Sequence, residues 1–165
     1  MQHSCTEEPH HGLFDTGLDP LDFAALVSAN DDALRAAGAV RVIATASPGY
    51  PCRITLEDAA IGEPLILLHH LSHDVATPYR AAYAIYVREQ ATVAAHYNDA
   101  VPPVLQGRPI SLRGFGADGL LKHASLALVG DVDGAIRALF AKSEVAYIHA
   151  HNAAHGCFVA QIDRA

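Results

Sequence analysis

Positive charge is scarce in this sequence. Eleven Lys and Arg residues stand against 18 Asp and Glu in 165 residues, for a formal net charge of −7. The cations are scattered, and no basic run exists. A nucleic-acid surface needs clustered Lys and Arg to neutralise phosphate, so nucleic acid is not expected as a partner. Long apolar runs are missing too: no stretch approaches the roughly 20 residues that cross a bilayer. The opening segment, MQHSCTEEPHHG, lacks the basic start and apolar run of a signal peptide. A cytoplasmic location without a membrane partner is the expectation. Cysteine is sparse and odd in number (Cys5, Cys52, Cys157), which argues against a disulfide framework in a chain with no export signal. HExxH, CxxC and GxSxG motifs are absent, so a metal reading lacks its strongest signatures and serine-hydrolase chemistry has no support.

A hydrophobic content of 51% and a charged content of 18% are those of an ordinary globule. The length suits one domain with one real core, and no internal repeat or linker divides it. Helix signals come early. In LDPLDFAALVS, Asp19 can cap, Pro20 suits a first turn, and Phe23, Leu26 and Val27 share a face. NDDALRAAG has Asn30 or Asp31 as a cap and Gly38 as a stop. AVRVIATA then reads as a strand, and SPGYPCR breaks it, placing Cys52 just after a turn. GEPLILLHHL is an apolar strand with both faces buried, YAIYVRE and PISLRGF are further strands, and HASLALVG is read as one more. DVDGAIRALFAK is a helix with Asp131 as its cap and Ile136, Leu139 and Phe140 as its stripe. The chain closes as a hairpin, EVAYIHAH and CFVAQIDR around NAAHG. The expected fold is α+β: a loose tail over residues 1–18, then a single domain over 19–165. That domain holds a mainly antiparallel sheet with flanking helices and a C-terminal β-hairpin.

YPCR before a strand, GEPLILL after a turn, TPY before a short strand, LRGF, and the closing H-x-H-N-A-x-x-G-C-F together resemble the bacterial family catalogued as domain of unknown function 1203. The resemblance covers about residues 40–165, and the closing motif is its most specific part. It implies a small, bacterial, single-domain protein and transfers no reaction, cofactor or catalytic residue. In the family pattern Gly-Pro and a further cysteine flank the strand after TPY; here the stretch is RAAYAIYVREQAT, with neither.

Histidine is the compositional anomaly. The eleven include His3, His10 and His11 at the start, His69, His70 and His73 in the middle, and His149, His151 and His155 near the end. The first group falls in the tail. In LLHHLSH, strand alternation sends His69 and His70 to opposite sides, so that group reads as single histidines at a strand's end. The closing group differs. Alternation puts Tyr147, His149 and His151 on one face and Ala146, Ile148 and Ala150 on the other, which should meet the helices. Two imidazoles two residues apart can converge on one ion, with His155 as a third candidate ligand for a transition metal. The alternative is that both are ordinary hydrogen-bonded histidines.

Cys157 and Cys52 are candidates for thiol chemistry, Cys157 with His155 and His149 in reach and Cys52 beside Arg53. If their segments meet in space, they could form a transient redox pair; the alternative is buried, inert cysteine. GFGADG (Gly114–Gly119) matches a dinucleotide fingerprint formally, but Asp118 and the lack of a following helix favour a glycine turn. Arg53, Arg108 and Arg113 could clamp a carboxylate or phosphate, or else pair with the protein's own surplus acids.

Two functions from different classes follow. In the first, a small molecule is bound or transformed at a site in the closing hairpin. Cys157, His149 and Cys52 are its catalytic candidates, Asn152, Arg53 and Arg113 its ligand-binding residues, and His149, His151 and His155 its metal candidates. In the second, the chain is a non-catalytic structural or partner-binding module whose motif only builds a tight hairpin, for which Asn at the loop start and Gly at its end suffice.

Overall fold

Capping chemistry sets the helices. Asp19 accepts a hydrogen bond from the Leu21 backbone N–H, and Pro20 opens a 3-10 turn (Pro20–Phe23) that runs into α1 (Ala24–Val27). Asn30 accepts from the Ala33 N–H at the start of α2 (Asp31–Ala36), and Gly38 leaves that helix at φ +74°. Ahead of α3 (Val132–Phe140), Asp131 does not cap with its side chain. Its backbone is already turned (φ −103°, ψ 0°) instead of extended, so the carboxylate cannot reach back to the first N–H groups. The α3 stripe of Ile136, Leu139 and Phe140 is buried as the spacing requires.

The computed structural model describes residues 13–165; the first histidine group and Cys5 lie outside them. The strands are β1 (Leu13–Thr16), β2 (Val40–Ile43), β3 (Pro64–His73), β4 (Ala81–Arg88), β5 (His96–Asn98), β6 (Ile110–Phe115), β7 (Leu121–Ala127), β8 (Tyr147–Asn152) and β9 (Phe158–Arg164). They form a six-stranded sheet in the order β5-β1-β9-β8-β6-β7 and a three-stranded sheet in the order β2-β3-β4. Every pairing between named strands is antiparallel, and β8-β9 is the C-terminal hairpin. The α+β class is therefore as expected. No helix among the described residues is long and apolar enough to cross a membrane.

One boundary differs. Leu13–Thr16 falls inside the segment read as a loose tail, yet it pairs with β9 on one side and β5 on the other. Four residues are too few to show alternation in the sequence; the strand is fixed by partners roughly 80 and 150 positions away. Just beyond it Gly17 passes so close to Ile54 that a Cβ would lie 1.9 Å from the Ile54 carbonyl oxygen. Only glycine fits there.

Alternation on β8 works as its composition implies. Ile148 and Ala150 join Ile110 and Leu112 of β6 and Ile162 of β9 in a core closed by α3. A second core under the three-stranded sheet holds Phe23, Leu34, Cys52, Ile66 and Ile85. Leu65, next to Ile66, faces away into a third cluster with Ala44 and Ala59, so the start of β3 is buried on both faces. The other face of the six-stranded sheet, carrying His149 and His151, is turned towards β3 and β4, and the functional candidates gather there.

Candidate functional site

Strand register builds the site in rungs. Arg113 of β6, His149 of β8 and Gln161 of β9 stand opposite one another, and so do Ser111, His151 and Phe158. Phe115 pairs with Tyr147, which in turn pairs with Asp163. Directly opposed residues project to the same side of a sheet, so these three rungs present one continuous polar and aromatic face. Against it lie His73 from the end of β3 and Tyr83 from β4. Between the sheets is a cleft of about 320 Å³, with His73, Tyr79, Tyr83, Arg113, His149 and His151 among its lining residues.

His149 and His151 are 1% and 2% exposed, so the face they share is an interior wall. Their hydrogen bonds fix their tautomers. The Gln161 amide nitrogen donates to Asp163 Oδ1 (3.0 Å), which turns Gln161 Oε1 towards His149 Nε2 (3.0 Å). An amide oxygen only accepts, so His149 carries its proton on Nε2. His151 Nδ1 lies 3.0 Å from the Gly156 carbonyl and must donate to it. Burial pushes the pKa of both rings down to about 4. For His149 the Gln161 bond works against this, and the Gly156 bond does so for His151; the Arg113 charge adds to the lowering in each. Both imidazoles are neutral at pH 7.

His73 is the residue that sequence reasoning missed. A bulge between Leu71 and His73 breaks the β3–β4 register and turns the ring inward, leaving it 5% exposed. Its Nδ1 donates to the Tyr79 carbonyl (2.8 Å), and its Nε2 accepts the Tyr147 hydroxyl (2.7 Å). The rings of His73 and His149 meet edge-on at 4.8 Å. His69 and His70 diverge as alternation requires: His69 is exposed, and His70 lies against Phe23.

The remaining candidates sit beyond Tyr83. That ring separates the first cleft from a second of about 430 Å³, whose lining includes Arg53, Asn152, His155, Cys157 and Tyr86. Arg53 is 1% exposed and donates to the Phe158 and Pro51 carbonyls and, at 3.2 Å, to Cys157 Sγ. The segments carrying Cys52 and Cys157 are thus neighbours through Arg53. Their sulfurs have separate partners: Cys52 Sγ is enclosed in the core, within 3.3–3.5 Å of the backbone N–H groups of Arg88, Ile54 and Thr55, and neither cysteine is in a disulfide. Asn152 Oδ1 accepts from the Ala154 and His155 N–H groups and so serves the hairpin loop, which Gly156 closes at φ +77°. Gly119 likewise takes φ +75° in the β6–β7 turn, as expected for GFGADG.

The three metal candidates are not brought together. His155 lies on the second cleft, and His149 and His151 on the first. Two imidazoles on one tetrahedral ion at 2.0–2.1 Å have ring centroids roughly 5 Å apart; these stand 6.4 Å apart, beside a guanidinium. Among the described residues no three His, Cys, Asp or Glu are arranged to hold a metal ion.

The arginines separate clearly. Arg108 pairs with Asp58, and Arg35, Arg41, Arg80, Arg88 and Arg137 also have carboxylate partners. Arg53, Arg113 and Arg164 have none among the described residues; Arg53 and Arg164 donate to backbone carbonyls, whereas Arg113 donates only to the Tyr83 hydroxyl, at 3.0 Å.

Comparison with curated proteins and with solved structures returns no match. A family profile does match, described as protein of unknown function (DUF1203), over residues 49–164. That span contains both clefts and the closing motif, and the chain belongs to the DUF1203 family.

Proposed function

We propose that this protein is a bacterial cytoplasmic protein that binds a small anionic molecule in the cleft between its two sheets, with Arg113 receiving the anionic group. One observation carries the reading: Arg113 lines the cleft with only a phenol for a partner among the described residues, although acids outnumber bases 18 to 11. A guanidinium offers five donors in a planar fork suited to carboxylate or phosphate, and most of these donors are free. The imidazoles beside it are neutral and no carboxylate lines the cleft, so its charge at pH 7 is positive. Neutral His149 and His151 next to a bound molecule can accept hydrogen bonds from it, and at about 4 their pKa values make them weak bases at pH 7, which favours binding over proton transfer.

The structural-module reading has its own support in Asn152 and Gly156, whose roles in the loop are complete without a ligand. It gives no reason for an unpaired Arg113 or for a cleft lined by three histidines. The two readings part in a thermal-shift screen of small carboxylates and phosphates on wild type, Arg113→Ala and the exposed control Arg35→Ala. Anion binding raises the melting temperature of wild type and of Arg35→Ala but not of Arg113→Ala. Equal responses from all three proteins, or none from any, would contradict the proposal.

A further inference from the structure

Resting on the anion-binding reading, we infer that the ligand carries hydroxyl groups beside its anionic end. The chemical class is a small hydroxy acid or a small polyol phosphate. The internal hydrogen bonds leave one nitrogen of each imidazole over. His149 spends its N–H on Gln161, so its Nδ1 is a bare lone pair; His151 spends its N–H on Gly156, so its Nε2 is a bare lone pair. Neither atom has a hydrogen-bond partner among the described residues. Nor is either one of the enclosed, unpartnered polar atoms there, which are the Asp15 carboxylate oxygens and Ser125 Oγ. Both residues line the cleft, and these nitrogens are the ring atoms that their internal hydrogen bonds leave for a ligand.

The cleft thus offers a fixed pattern: guanidinium donors on one strand and two neutral acceptors on the next. The complement is an anion followed by hydrogen-bond donors. An ammonium could fill the donor positions, but it would stand next to Arg113 and be repelled; a neutral hydroxyl is not. The Tyr83 hydroxyl already accepts from Arg113, so its own proton is available to a ligand oxygen. A volume of about 320 Å³ limits the ligand to a small molecule. A donor-lacking anion would reach Arg113 but leave both imidazole lone pairs unsatisfied, and a site built this way discriminates against such analogues.

The test uses the full chain and matched probes: malate against succinate, and glycerol phosphate against propyl phosphate. Histidine ring 1H–15N correlation spectra at pH 7 should first show His149 protonated on Nε2 and His151 on Nδ1. Malate, with one added hydroxyl, should then bind about tenfold more tightly than succinate, one hydrogen bond's worth, or glycerol phosphate, with two, should bind more tightly still relative to propyl phosphate. The bound hydroxyls should shift the bare nitrogens. Whether the carboxylate or the phosphate pair responds identifies the anionic group. His151→Phe should reduce the preference for the hydroxylated member of each pair; if that variant does not fold, the wild-type spectra decide alone. Equal affinity within both pairs, bare nitrogens that do not move, the opposite tautomers, or stoichiometric binding of Zn2+ at those nitrogens each overturns the inference while leaving anion binding at Arg113 standing. If no probe binds, the anion-binding reading itself fails, and the inference with it.

Discussion

The Arg53 guanidinium lies in the interior with its Nη2 3.2 Å from Cys157 Sγ, and it joins two segments more than 100 residues apart. Burying a cation is costly unless it is partnered. Burial pulls Arg53 below the usual arginine pKa, and the Cys157 sulfur opposes that shift. Its other bonds, to the Phe158 and Pro51 carbonyls, tie the start of β9 to the turn before β3. Arg53→Ala should therefore cost roughly 3 kcal/mol or more, by leaving buried carbonyls unpaired and opening a cavity. Denaturant unfolding measures it; a loss below about 1 kcal/mol would show that the tie contributes little.

The two cysteines should differ in access. Cys157 lines the second cleft, while Cys52 is 0% exposed in the core. Under native conditions a small alkylating reagent should modify Cys157 and spare Cys52, read residue by residue by mass spectrometry. Equal labelling, or labelling of Cys52 first, would contradict the arrangement.

Three buried groups set the pH dependence of stability. His149 and His151 titrate near 6.5 unfolded and at about 4 folded, so between those values the unfolded chain holds two protons that the folded chain lacks. Their contribution is complete above pH 6.5 and is lost as pH falls towards 4. Asp15 acts in the opposite direction. Burial, and then the Asp163 charge, raise its pKa from 3.8 to about 7, so its contribution is present at low pH and is lost as pH rises towards 7. Two protons against one leave stability rising with pH across the window by about 1.4 kcal/mol per unit from these three groups, and His70, also lowered by burial, adds in the same direction. Asp15→Asn removes the opposing group and should roughly double that slope. Urea midpoints from pH 4.5 to 6.5 for both proteins check the sign and the ratio; a wild type that gains stability as pH falls would contradict it.

Half-buried Tyr147 bonds to buried His73, and its phenol is the only donor to the imidazole Nε2 among the described residues. Tyr147→Phe should cost about 1–3 kcal/mol, because the ring nitrogen loses its partner while the aromatic packing stays. Tyr147 is not part of the cleft lining, so anion affinity should hold. A melting curve and a binding isotherm on the same variant separate the two effects.

Local chemistry was legible from the sequence, and long-range placement was not. Caps at Asp19 and Asn30, the stripe on α3 and the alternation on β8 all depend on neighbours a few residues away, and they appear where the residues imply. So does the divergence of His69 and His70. His73 escaped notice because its role depends on a bulge in β3 and on Tyr147, 74 positions later. Nothing near Tyr83 marks it as the divider between two clefts; its importance comes from β4 facing β8 across the sheet interface. In the sequence the hairpin motif looks like one cluster, but a loop reverses direction after Asn152. His155 and Cys157 are therefore carried past Tyr83, away from His149 and His151. Arg108 and Arg113 look alike in the sequence, and only the fold gives Asp58 to one and, among the described residues, leaves the other without a carboxylate.

The central claim is that the cleft beside Arg113 receives a small anion. Chemical-shift mapping of the wild-type chain, titrated with the carboxylates and phosphates of the thermal-shift screen, tests it most directly. The expected result is saturable movement of signals from Arg113, Tyr83, His149 and His151, with little change at exposed cations such as Lys142. Movement confined to those surface cations, or no movement with any anion, would contradict it.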